Sequence, residues 1–478
     1  MSFLGIDVGT SSVKVGLLGD DGSLVVQSAD VAGFQDALMR GEMDAWAWWA
    51  ATLEALSRLH ATVDLTTVEA MSVIGNTPTL VCLDSQGKPR VPALLWSDTR
   101  AQAEAQELLR EHSQAEWNAA YGTFMPVSAA YPSAKLRWLQ KHWPAALGPG
   151  AHVVQPKDFI NYQLTGVIAG DTWTSKGLVS LEASERERPL ELLGLDPKLA
   201  PECYRPVDVI GRVTDDAARL TGIPGGVPVT AGWSDTLGAV WSLGLNVNDA
   251  FVLSGTSDSI GVIAQRAAVD RTTVLCAPIW DTGSYIVYGP TSSGVSTLHW
   301  AQSVFPMSFE SGGEPLPVRP NRPWFLPYLL GQRSPIWADE VRGAWVNVDH
   351  QTTPLELADA VLEGIVAAER LVLDAVVDAT GALPQRVVIS GGGAKIERLN
   401  AWRRRVFPYH LFQADSDPVV GAARLAQWHR QVPSRLQSEW SGSQRWKPLG
   451  GHDEGVEEGR YQGFKRASTV VVEGLGQS

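Results

Sequence analysis

The chain has 478 residues, of which 44% are hydrophobic and 19% are charged, and its formal net charge is −13. This length is too great for one ordinary hydrophobic core and predicts two domains of roughly 200 residues each. The negative charge argues against nucleic acid or an anionic membrane as the main partner, although backbone amides and a cation can still bind ATP locally.

The cysteines and the amino terminus predict a cytoplasmic protein. Cys82, Cys203 and Cys276 lie far apart, which is typical of a reducing compartment and not of a thiolate metal site. No secretory leader is recognisable, and no apolar run approaches the ~20 residues of a membrane span. The histidines never occur at metal-ligand spacing, so a zinc enzyme is not expected.

The stretch from Phe3 to Ser28 contains two apolar strands around a short polar turn. The turn holds Gly9, Thr10 and Ser11 between β-branched runs, so the pattern predicts a hairpin. Its glycine lets a backbone approach an anion closely, and its hydroxyls and N–H groups can hold phosphate oxygens. Asp7, at the end of the first strand, would then face a metal ion bound to those phosphates.

The element after this turn separates two classes of nucleotide site. A Walker loop or a Rossmann glycine loop opens into a helix, whereas this turn opens into a second strand, Val13 to Leu18. Such a hairpin indicates an actin-like or sugar-kinase type of ATPase. A plain surface hairpin has equal weight on this stretch alone, and Lys14 fits either a phosphate contact or a solvated strand position.

Helix caps, β-branched runs and polar turns predict the next elements. In chain order we expect a helix from the N-cap Asp44 to about Leu59, a strand from Val68 to Ile74, a helix from about Ala101, a strand-to-loop edge from Val153 to Asp158, a polar loop from Asp171 to Ser175, and a strand from Pro228 followed by a polar turn that carries Asp235.

Residues Phe251 to Ala264 repeat the pattern of the opening stretch. Gly255, Thr256 and Ser257 stand where the first glycine turn stood, again between two apolar strands. We interpret this as an internal duplication in which each half supplies one phosphate-facing hairpin. Leu253 corresponds to Asp7, so only one of the two hairpins carries an Asp at this position. A single Asp fits one metal ion bound between two phosphate-binding hairpins. Chance similarity of two hairpins is the alternative and has less weight.

The last third of the chain carries a helix signal and a glycine run. The sequence Thr353-Pro354-Leu355-Glu356 predicts a capped helix to about Thr380. A strand from Arg386 to Ser390 precedes Gly391, Gly392 and Gly393, which could lie flat against an adenine or ribose or could form only a tight turn. Residues 433–460 are polar, and a final helix is expected near Glu457 to Ser468.

Together these landmarks resemble the FGGY carbohydrate kinases of the hexokinase/actin/Hsp70 superfamily over most of residues 3–430. The matching segments are Gly5 to Lys14, Leu94 to Arg100, Pro156 to Asp158 with Leu164 to Gly166, Ala231 to Asp235, Leu253 to Ser257, Leu326 to Pro335, Arg342-Gly343, Leu362 to Gly364, Gly391 to Lys395 and Gly421 to Ala426. Their shared order and spacing carry the resemblance.

The resemblance implies an α/β fold of two actin-like, ribonuclease H-like domains with an interdomain cleft. Residues 1–243 would form an N-terminal, sugar-binding domain that carries the first phosphate hairpin. Residues 244–435 would form an ATP-binding domain, and residues 436–478 a C-terminal extension with a final helix.

Xylulokinase-like members are the most similar subgroup, with departures in the sugar pocket. That group carries Gly-Gln-Met-His-Gly where this chain has Gly75 to Thr79, so the sugar-contacting Met and His become Thr77 and Pro78. Thr236 replaces the Asn that follows the catalytic Asp, while Asp258 and Gln332 replace a common Gly and Glu. The phosphoryl-transfer parts are kept while the sugar pocket has changed.

The resemblance implies ATP-dependent transfer of the γ-phosphate to a terminal hydroxyl of a ketopentose such as xylulose. Asp235 would be the general base and, with Asp7, would hold Mg²⁺. The implied ATP and phosphate contacts are Gly9, Thr10, Ser11, Gly255, Thr256, Ser257, Gly391, Gly392, Gly393 and Asn400. The implied substrate contacts are Asn76, Thr77, Trp96, Asp98, Asp235 and Thr236. Core packing for Trp96 and a helix cap for Asp98 have equal weight.

Other functions remain open from the sequence. The acceptor could be another polyol or ketose, such as ribulose, erythritol, glycerol or fuculose. A nucleotide-operated scaffold like actin or Hsp70 lacks support, because no substrate-binding β-domain or filament insert is evident. A regulator that lost catalysis conflicts with the retention of Asp7 and Asp235. As partners we expect a small sugar or polyol and a second copy of the chain in a homodimer, with no nucleic acid and no membrane.

Overall fold

The computed structural model describes residues 1–269, 273–280, 282–305, 309, 316, 322–430, 446–450 and 458–475. Contacts divide the chain into two units. The first unit comprises Met1–Gly244 and Asp417–Gly442, and the second comprises Leu245–Ser416 and Ser443–Ser478. The domain boundary between residues 243 and 244 stays a prediction. The long stretch of the first unit ends one residue later, at Gly244, and this unit also takes in the segment that begins at Asp417.

The first unit alternates short strands and helices. Its strands are β1 (Ser2–Val8), β2 (Ser12–Gly19), β3 (Leu24–Asp30), β4 (Glu42–Met43), β5 (Val68–Gly75), β6 (Val81–Leu83), β7 (Ala93–Leu94), β8 (His152–Val154), β9 (Ala169–Asp171), β10 (Glu202–Tyr204), β11 (Val209–Arg212) and β12 (Pro228–Thr230). Its helices up to Gly244 are α1 (Phe34–Arg40), α2 (Ala45–His60), α3 (Gln102–Glu111), α4 (Gln114–Tyr121), α5 (Pro132–His142), α6 (Pro156–Thr165), α7 (Arg188–Leu192), α8 (Asp215–Thr221) and α9 (Asp235–Ser242).

The main sheet of the first unit has the strand order β11-β12-β5-β1-β2-β3. The predicted hairpin is confirmed, with β1 antiparallel to β2 and Asp7 opposite Lys14. Strands β5 and β12 continue the sheet in parallel with β1. Every residue of β1 is buried, which is typical of a central strand covered on both faces.

The second unit repeats this plan. Its strands are β13 (Asp249–Ser254), β14 (Asp258–Ala264), β15 (Leu275–Ile279), β16 (Ser284–Pro290), β17 (Trp324–Leu326), β18 (Ala344–Val346), β19 (Arg386–Ser390), β20 (His410–Gln413) and β21 (Lys447–Gly450). Its helices are α10 (Val295–Val304), α11 (Pro354–Thr380) and α12 (Glu397–Val406). After α13 (Pro418–Arg430), which belongs to the first unit, α14 (Glu458–Leu475) completes the second.

The two main sheets share the order of six strands, and the second sheet adds β15 at one edge, which supports the internal duplication. The second sheet runs β15-β16-β14-β13-β19-β20-β21. Strand β13 pairs antiparallel with β14 and parallel with β19, as β1 pairs with β2 and β5. Leu253 and Asp7 each stand one residue before the end of the equivalent strand.

Helix α13 belongs to the first unit because small residues let it approach that sheet closely. A Cβ on Gly5 of β1 would lie 2.2 Å from the carbonyl oxygen of Val419, and one on Gly421 would lie 1.9 Å from the carbonyl oxygen of Gly238. No side chain larger than hydrogen fits at either position without moving backbone. The Gly421 motif is visible in the sequence, but the unit on which it packs is not.

The described part of the C-terminal extension adds elements to the second unit. Strand β21 pairs with β20, and α14 runs to Leu475, beyond the predicted end at Ser468. The Tyr461 hydroxyl donates to Asp374 Oδ2 of α11 at 2.6 Å. The predicted start at Glu457 lies outside the described residues. Among the residues that the structure describes, no helix has the length and apolarity needed to cross a membrane.

Candidate active site

The carboxyl ends of three parallel strands bring the main predicted residues of the first unit together. Asp7 is the next-to-last residue of β1, Asn76 follows β5, and the segment after β12 leads to Asp235. Backbone hydrogen bonds join these ends, from Gly75 N–H to the Trp233 carbonyl at 3.3 Å and from Asn76 N–H to the Val8 carbonyl at 3.0 Å. Ligands of open α/β sheets usually bind at this edge of the sheet.

Asp7 is an almost fully buried carboxyl group, 8% exposed. Its Oδ1 atom is buried and has no hydrogen-bond partner. Burial and the neighbouring Asp235 raise the pKa of Asp7 to about 7, the Lys14 ammonium opposes this rise, and Asp417 adds to it. Three acidic side chains therefore converge on one edge of the first sheet, which favours a positively charged ligand.

Asp235 begins helix α9 and does not lie in the polar turn that the sequence predicted. Ser234 caps the helix by accepting from Leu237 N–H at 3.3 Å. Thr236 donates its N–H at 2.6 Å and its hydroxyl at 3.2 Å to Oδ1 of Asp235. The side chain is half-buried. Burial raises its pKa, and the bonds from Thr236 and the Lys176 charge partly offset the rise.

The first glycine turn is held by two tryptophans. The buried Trp48 donates its indole N–H to the Gly9 carbonyl at 3.0 Å. Trp96 donates its indole N–H to Thr10 Oγ1 at 3.0 Å, and Trp96 is 45% exposed. Trp96 is therefore not a core-packing residue. Its hydrogen bond connects a predicted substrate contact, Trp96, with a predicted phosphate contact, Thr10, within the first unit.

The other predicted substrate contacts are largely engaged in the fold. Asn76 donates its amide to the Val8 carbonyl at 3.0 Å and accepts from Thr79 Oγ1 at 2.7 Å. Asp98 accepts from Arg100 N–H at 3.0 Å and pairs with its guanidinium at 2.7 Å. Asp98 is a buried anchor of this loop and not the N-cap of α3, which is Ala101. Thr77 Oγ1 is buried without a hydrogen-bond partner.

Buried lysines that sequence reasoning did not assign support these loops. Lys135 donates to the carbonyl oxygens of Leu95 at 2.5 Å and Pro78 at 3.3 Å, so it fastens the loops before Trp96 and after Thr77. Burial lowers the pKa of Lys135 to about 7. Its signal in the sequence was a lysine on the apolar face of a helix, a position that usually requires a partner.

The Pro156-Lys157-Asp158 motif forms a second buried support. The predicted strand is confirmed at Val153 and Val154 of β8, but the predicted loop was wrong, because Lys157 and Asp158 lie in helix α6. Lys157 pairs with Asp158 at 2.5 Å and with Asp171 at 3.0 Å, and donates to the Ala231 carbonyl at 2.9 Å. The predicted polar loop from Asp171 is likewise buried at Asp171 and Ser175. This cluster fixes the segment that leads from β12 to Asp235.

The second glycine turn lies beside the glycine run in the second unit. A Cβ on Gly391, whose φ is +92°, would lie 2.5 Å from the Ser254 carbonyl, and one on Gly393 would lie 2.1 Å from Ser254 Oγ. Gly392 has open space around its Cα. The glycine run is thus a tight turn against the end of β13, and the space beside Gly392 is open.

The side chain of Asp258 closes the second turn. Gly255 donates its N–H to Asp258 Oδ1 at 3.1 Å, where Gly9 donates to the Ser12 carbonyl at 3.0 Å. Arg333 donates to Ser257 Oγ at 2.9 Å, which anchors the loop of residues 326–335 to this turn. Burial and Glu369 raise the pKa of Asp258 well above its ordinary value, against the opposing charge of Arg403.

Arg403 is the centre of a fully buried charged network in the second unit. It pairs with Glu369 through bonds of 2.9 and 2.5 Å and donates to Ser254 Oγ at 2.7 Å. It also donates to the Gly393 carbonyl at 3.1 Å and to Asn400 Oδ1 at 3.0 Å. Asn400, a predicted adenosine contact, is buried and donates its amide to the Ala394 carbonyl at 2.8 Å. Its amide therefore serves the turn itself.

Replacing Arg403 with methionine should destabilise the second unit by about 3–5 kcal/mol, because the change leaves the Glu369 carboxylate buried and unpaired. The double change Arg403→Met and Glu369→Leu should recover most of this loss, since it removes both charges. Urea unfolding measures both variants. Arg404→Met on the same helix is the control, because its partner Glu397 is exposed and such pairs contribute about 1 kcal/mol or less. Equal losses in the single and double variants would contradict the prediction.

The free oxygen of Asp7 suits a hydrated divalent cation. Among the described residues, no three or more His, Cys, Asp or Glu side chains form a closed metal site. Mg²⁺ typically keeps several waters and takes one or two carboxylates together with substrate phosphates. A buried, unpartnered carboxylate oxygen beside Asp235 and Asp417 therefore fits the ion that accompanies ATP.

Asp417 was not predicted as a site residue. Its signal in the sequence was an Asp directly before Pro418 at the start of a helix.

Comparison with known proteins identifies the family. The N-terminal domain of the FGGY family of carbohydrate kinases matches residues 2–241, and the C-terminal domain of the same family matches residues 250–428. The chain belongs to the FGGY family of carbohydrate kinases. Its two-domain α/β fold is that of the actin-like ATPase superfamily, so the predicted fold class and the predicted enzyme class are both confirmed.

Individual FGGY proteins show the extent of the likeness. A xylulose kinase of Escherichia coli is 30% identical over 453 residues, which cover 89% of this chain and 89% of that protein. The solved xylulose kinase of Rhodospirillum rubrum is 25% identical with a TM-score of 0.87, covering 100% of this chain and 99% of that chain. A solved gluconate kinase of Lactobacillus acidophilus shares the fold, at 22% identity, a TM-score of 0.83 and 98% coverage of both chains.

Proposed function

We propose that this FGGY kinase transfers the γ-phosphate of ATP to a terminal hydroxyl of a ketopentose, with xylulose as the acceptor and Asp235 as the general base. The observation that carries the proposal is the position of Asp235. It is half-buried at the sheet edge, and it acts electrostatically on Asp7. The naming of several similar proteins as xylulose kinases supports the choice of acceptor.

Phosphoryl transfer requires mainly positioning and charge neutralisation from the protein. Both bonds from Thr236 end on Oδ1 of Asp235, which leaves Oδ2 for the proton of the attacking hydroxyl. A raised pKa makes the carboxylate a stronger base at neutral pH. The exposed side chain of Trp96 offers an apolar face to sugar C–H groups while its N–H holds Thr10.

The nucleotide would be held by residues of the two glycine turns and the glycine run. We propose that Thr10 and Ser11 in the first unit, and Thr256 and Ser257 in the second, bind phosphate oxygens. The open space at Gly392 would take the adenosine. Mg²⁺ bound with ATP would be held by Asp7, with Asp235 beside it, and supplies charge neutralisation on the phosphates. Asn400 accepts a hydrogen bond from Arg403 and so supports the glycine run.

An acceptor panel tests this function. ADP release with Mg²⁺ and ATP is measured with xylulose, ribulose, erythritol, glycerol and fuculose. The value of kcat/KM should be highest with xylulose. The reason is that only a matched acceptor places its terminal hydroxyl against Asp235, and misplacement by ~1 Å can cost about 10²-fold. A different acceptor that exceeds xylulose tenfold would establish the other polyol or ketose as the substrate. ADP release that ignores every acceptor would contradict a sugar kinase of this kind.

A further inference from the structure

Lys176, in the loop that follows β9, is a largely buried residue whose Nζ atom still reaches solvent. Its side chain is 5% exposed. Within the described residues, its ammonium group forms no hydrogen bond and no ion pair with a protein oxygen. The ammonium lies 4.7 Å from the centre of the Trp173 ring. This contact orients the charge but accepts none of its three N–H donors in a hydrogen bond.

The charge of Lys176 is balanced by nearby carboxylates, although none of them forms an ion pair with it. Asp171 and Asp235 act on it electrostatically, but Asp171 is paired with Lys157 at 3.0 Å, and Lys157 is also paired with Asp158. Lys157 and Lys176 therefore balance Asp158 and Asp171, and Asp235 remains as a net negative charge. Burial lowers the pKa of Lys176 to about 8, so the side chain is still mainly protonated at neutral pH.

An ammonium that makes no hydrogen bond or ion pair with the protein keeps its donors for a ligand oxygen that reaches it. The ligand that reaches Asp235 is the acceptor of the proposed reaction. The chain also lacks a sugar donor that the xylulokinase-like pattern supplies, since Pro78 stands where that pattern has a histidine. Lys176 provides a donor on the same side of the first unit as Asp235. A carboxylate ligand would add a negative charge next to Asp235, whereas a neutral oxygen would not.

We propose that Lys176 is a specificity-determining residue that donates a hydrogen bond to an uncharged hydroxyl or carbonyl oxygen of the acceptor. This inference rests on the proposed function and narrows it. The ammonium selects a neutral ketose or polyol whose oxygen lies near the reacting hydroxyl. It does not select a sugar acid, because the surrounding carboxylates already balance its charge.

Steady-state ADP release tests the proposal with xylulose and gluconate as acceptors. Lys176→Met should raise the KM for xylulose about tenfold to a hundredfold, the usual value of a hydrogen bond from a charged donor. The KM for ATP should stay within about twofold, because the residue is assigned to the acceptor alone. Lys176→Gln should recover part of the loss, since its amide still donates. The wild-type enzyme should prefer xylulose to gluconate.

Controls separate this inference from the proposed function. Lys141→Met removes an exposed lysine of α5 that pairs with Glu107 and should change neither KM. If the Lys176→Met protein does not fold, as judged by thermal unfolding, the Lys176→Gln variant decides through its KM. A wild-type enzyme that phosphorylates no neutral acceptor refutes the proposed function. Turnover of xylulose with an unchanged KM in the Lys176 variants overturns the role of Lys176 alone. A preference for gluconate contradicts both the proposed acceptor and the selection by Lys176.

Discussion

Replacing Asp235 with asparagine should lower kcat by at least about 10²-fold, because general-base assistance typically contributes 10²–10⁴-fold. The amide keeps the shape of the side chain and can still accept the bonds from Thr236, but it cannot take the proton of the attacking hydroxyl. Nucleotide binding should be nearly unchanged, since the proposed phosphate contacts lie on the glycine turns. Initial rates of ADP release measure kcat, and the shift of the melting temperature with Mg²⁺ and ATP measures binding.

Asp216→Asn is a matched control for the Asp235 variant. It makes the same chemical change in the first unit at an exposed carboxylate that pairs with Arg219. Its kcat should equal that of the wild-type enzyme. Full turnover in the Asp235→Asn protein would show that another group accepts the proton. A loss of turnover accompanied by loss of the nucleotide-induced melting shift would indicate a role in nucleotide binding instead.

Replacing Asp7 with asparagine should reduce activity and at the same time stabilise the protein free of ligands. Turnover should fall at least about 10²-fold, because the variant loses the carboxylate assigned to the ion that accompanies ATP and the electrostatic stabilisation of phosphoryl transfer that depends on it. Stability should rise because the fold raises the pKa of Asp7 from 3.8 to about 7. An unfolded chain ionises this group without cost, whereas the folded protein must bury the charge.

The raised pKa of Asp7 makes the free energy of unfolding depend on pH. Below about pH 4 Asp7 is protonated in both the folded and the unfolded protein, so it does not change the free energy of unfolding. Between pH 4 and pH 7 the folded protein binds more protons, so its free energy of unfolding falls as pH rises. One pKa unit corresponds to about 1.4 kcal/mol, which gives an upper limit of about 4 kcal/mol above pH 7.

Urea unfolding at pH 5 and pH 8 measures the stability of the Asp7→Asn protein. The advantage of this variant over the wild-type protein should be larger at pH 8. Asp36→Asn, which alters an exposed carboxylate paired with Arg40, should show no such change between the two pH values. An Asp7→Asn protein less stable than the wild type at pH 8 would mean that the Asp7 carboxylate is a structural ion-pair partner and not a site held open for a cation.

Local signals predicted the elements that present the site. The two glycine turns were recognised because each stands between β-branched runs, and both form hairpins as expected. Asp44 and Thr353 cap helices α2 and α11, and Gly166 and Gly381 end helices in the left-handed conformation. Each of these signals depends on residues within one helical turn or one hairpin, so the sequence contains the whole of the interaction.

Side-chain roles were harder to predict because their partners lie far along the chain. Arg403 bonds Ser254, 149 residues away, and Lys157 bonds the Ala231 carbonyl, 74 residues away. Asn400 has the right residue type for a ligand contact, yet its amide bonds Ala394 and Arg403. Composition and spacing do not show whether a polar group is already used by the fold.

By itself, the sequence determined the repeated hairpins, the helix caps and the family, because all of these are written in residues close together or in a fixed order. Only the tertiary structure decided that α13 packs on the first sheet and that Asp7, Asp235 and Asp417 converge. It also decided that Lys176 lies near Asp235 without a hydrogen bond or ion pair in the described part of the chain. The physical reason is that pairing and burial depend on which strand ends and helix faces meet, and these meetings join residues hundreds of positions apart.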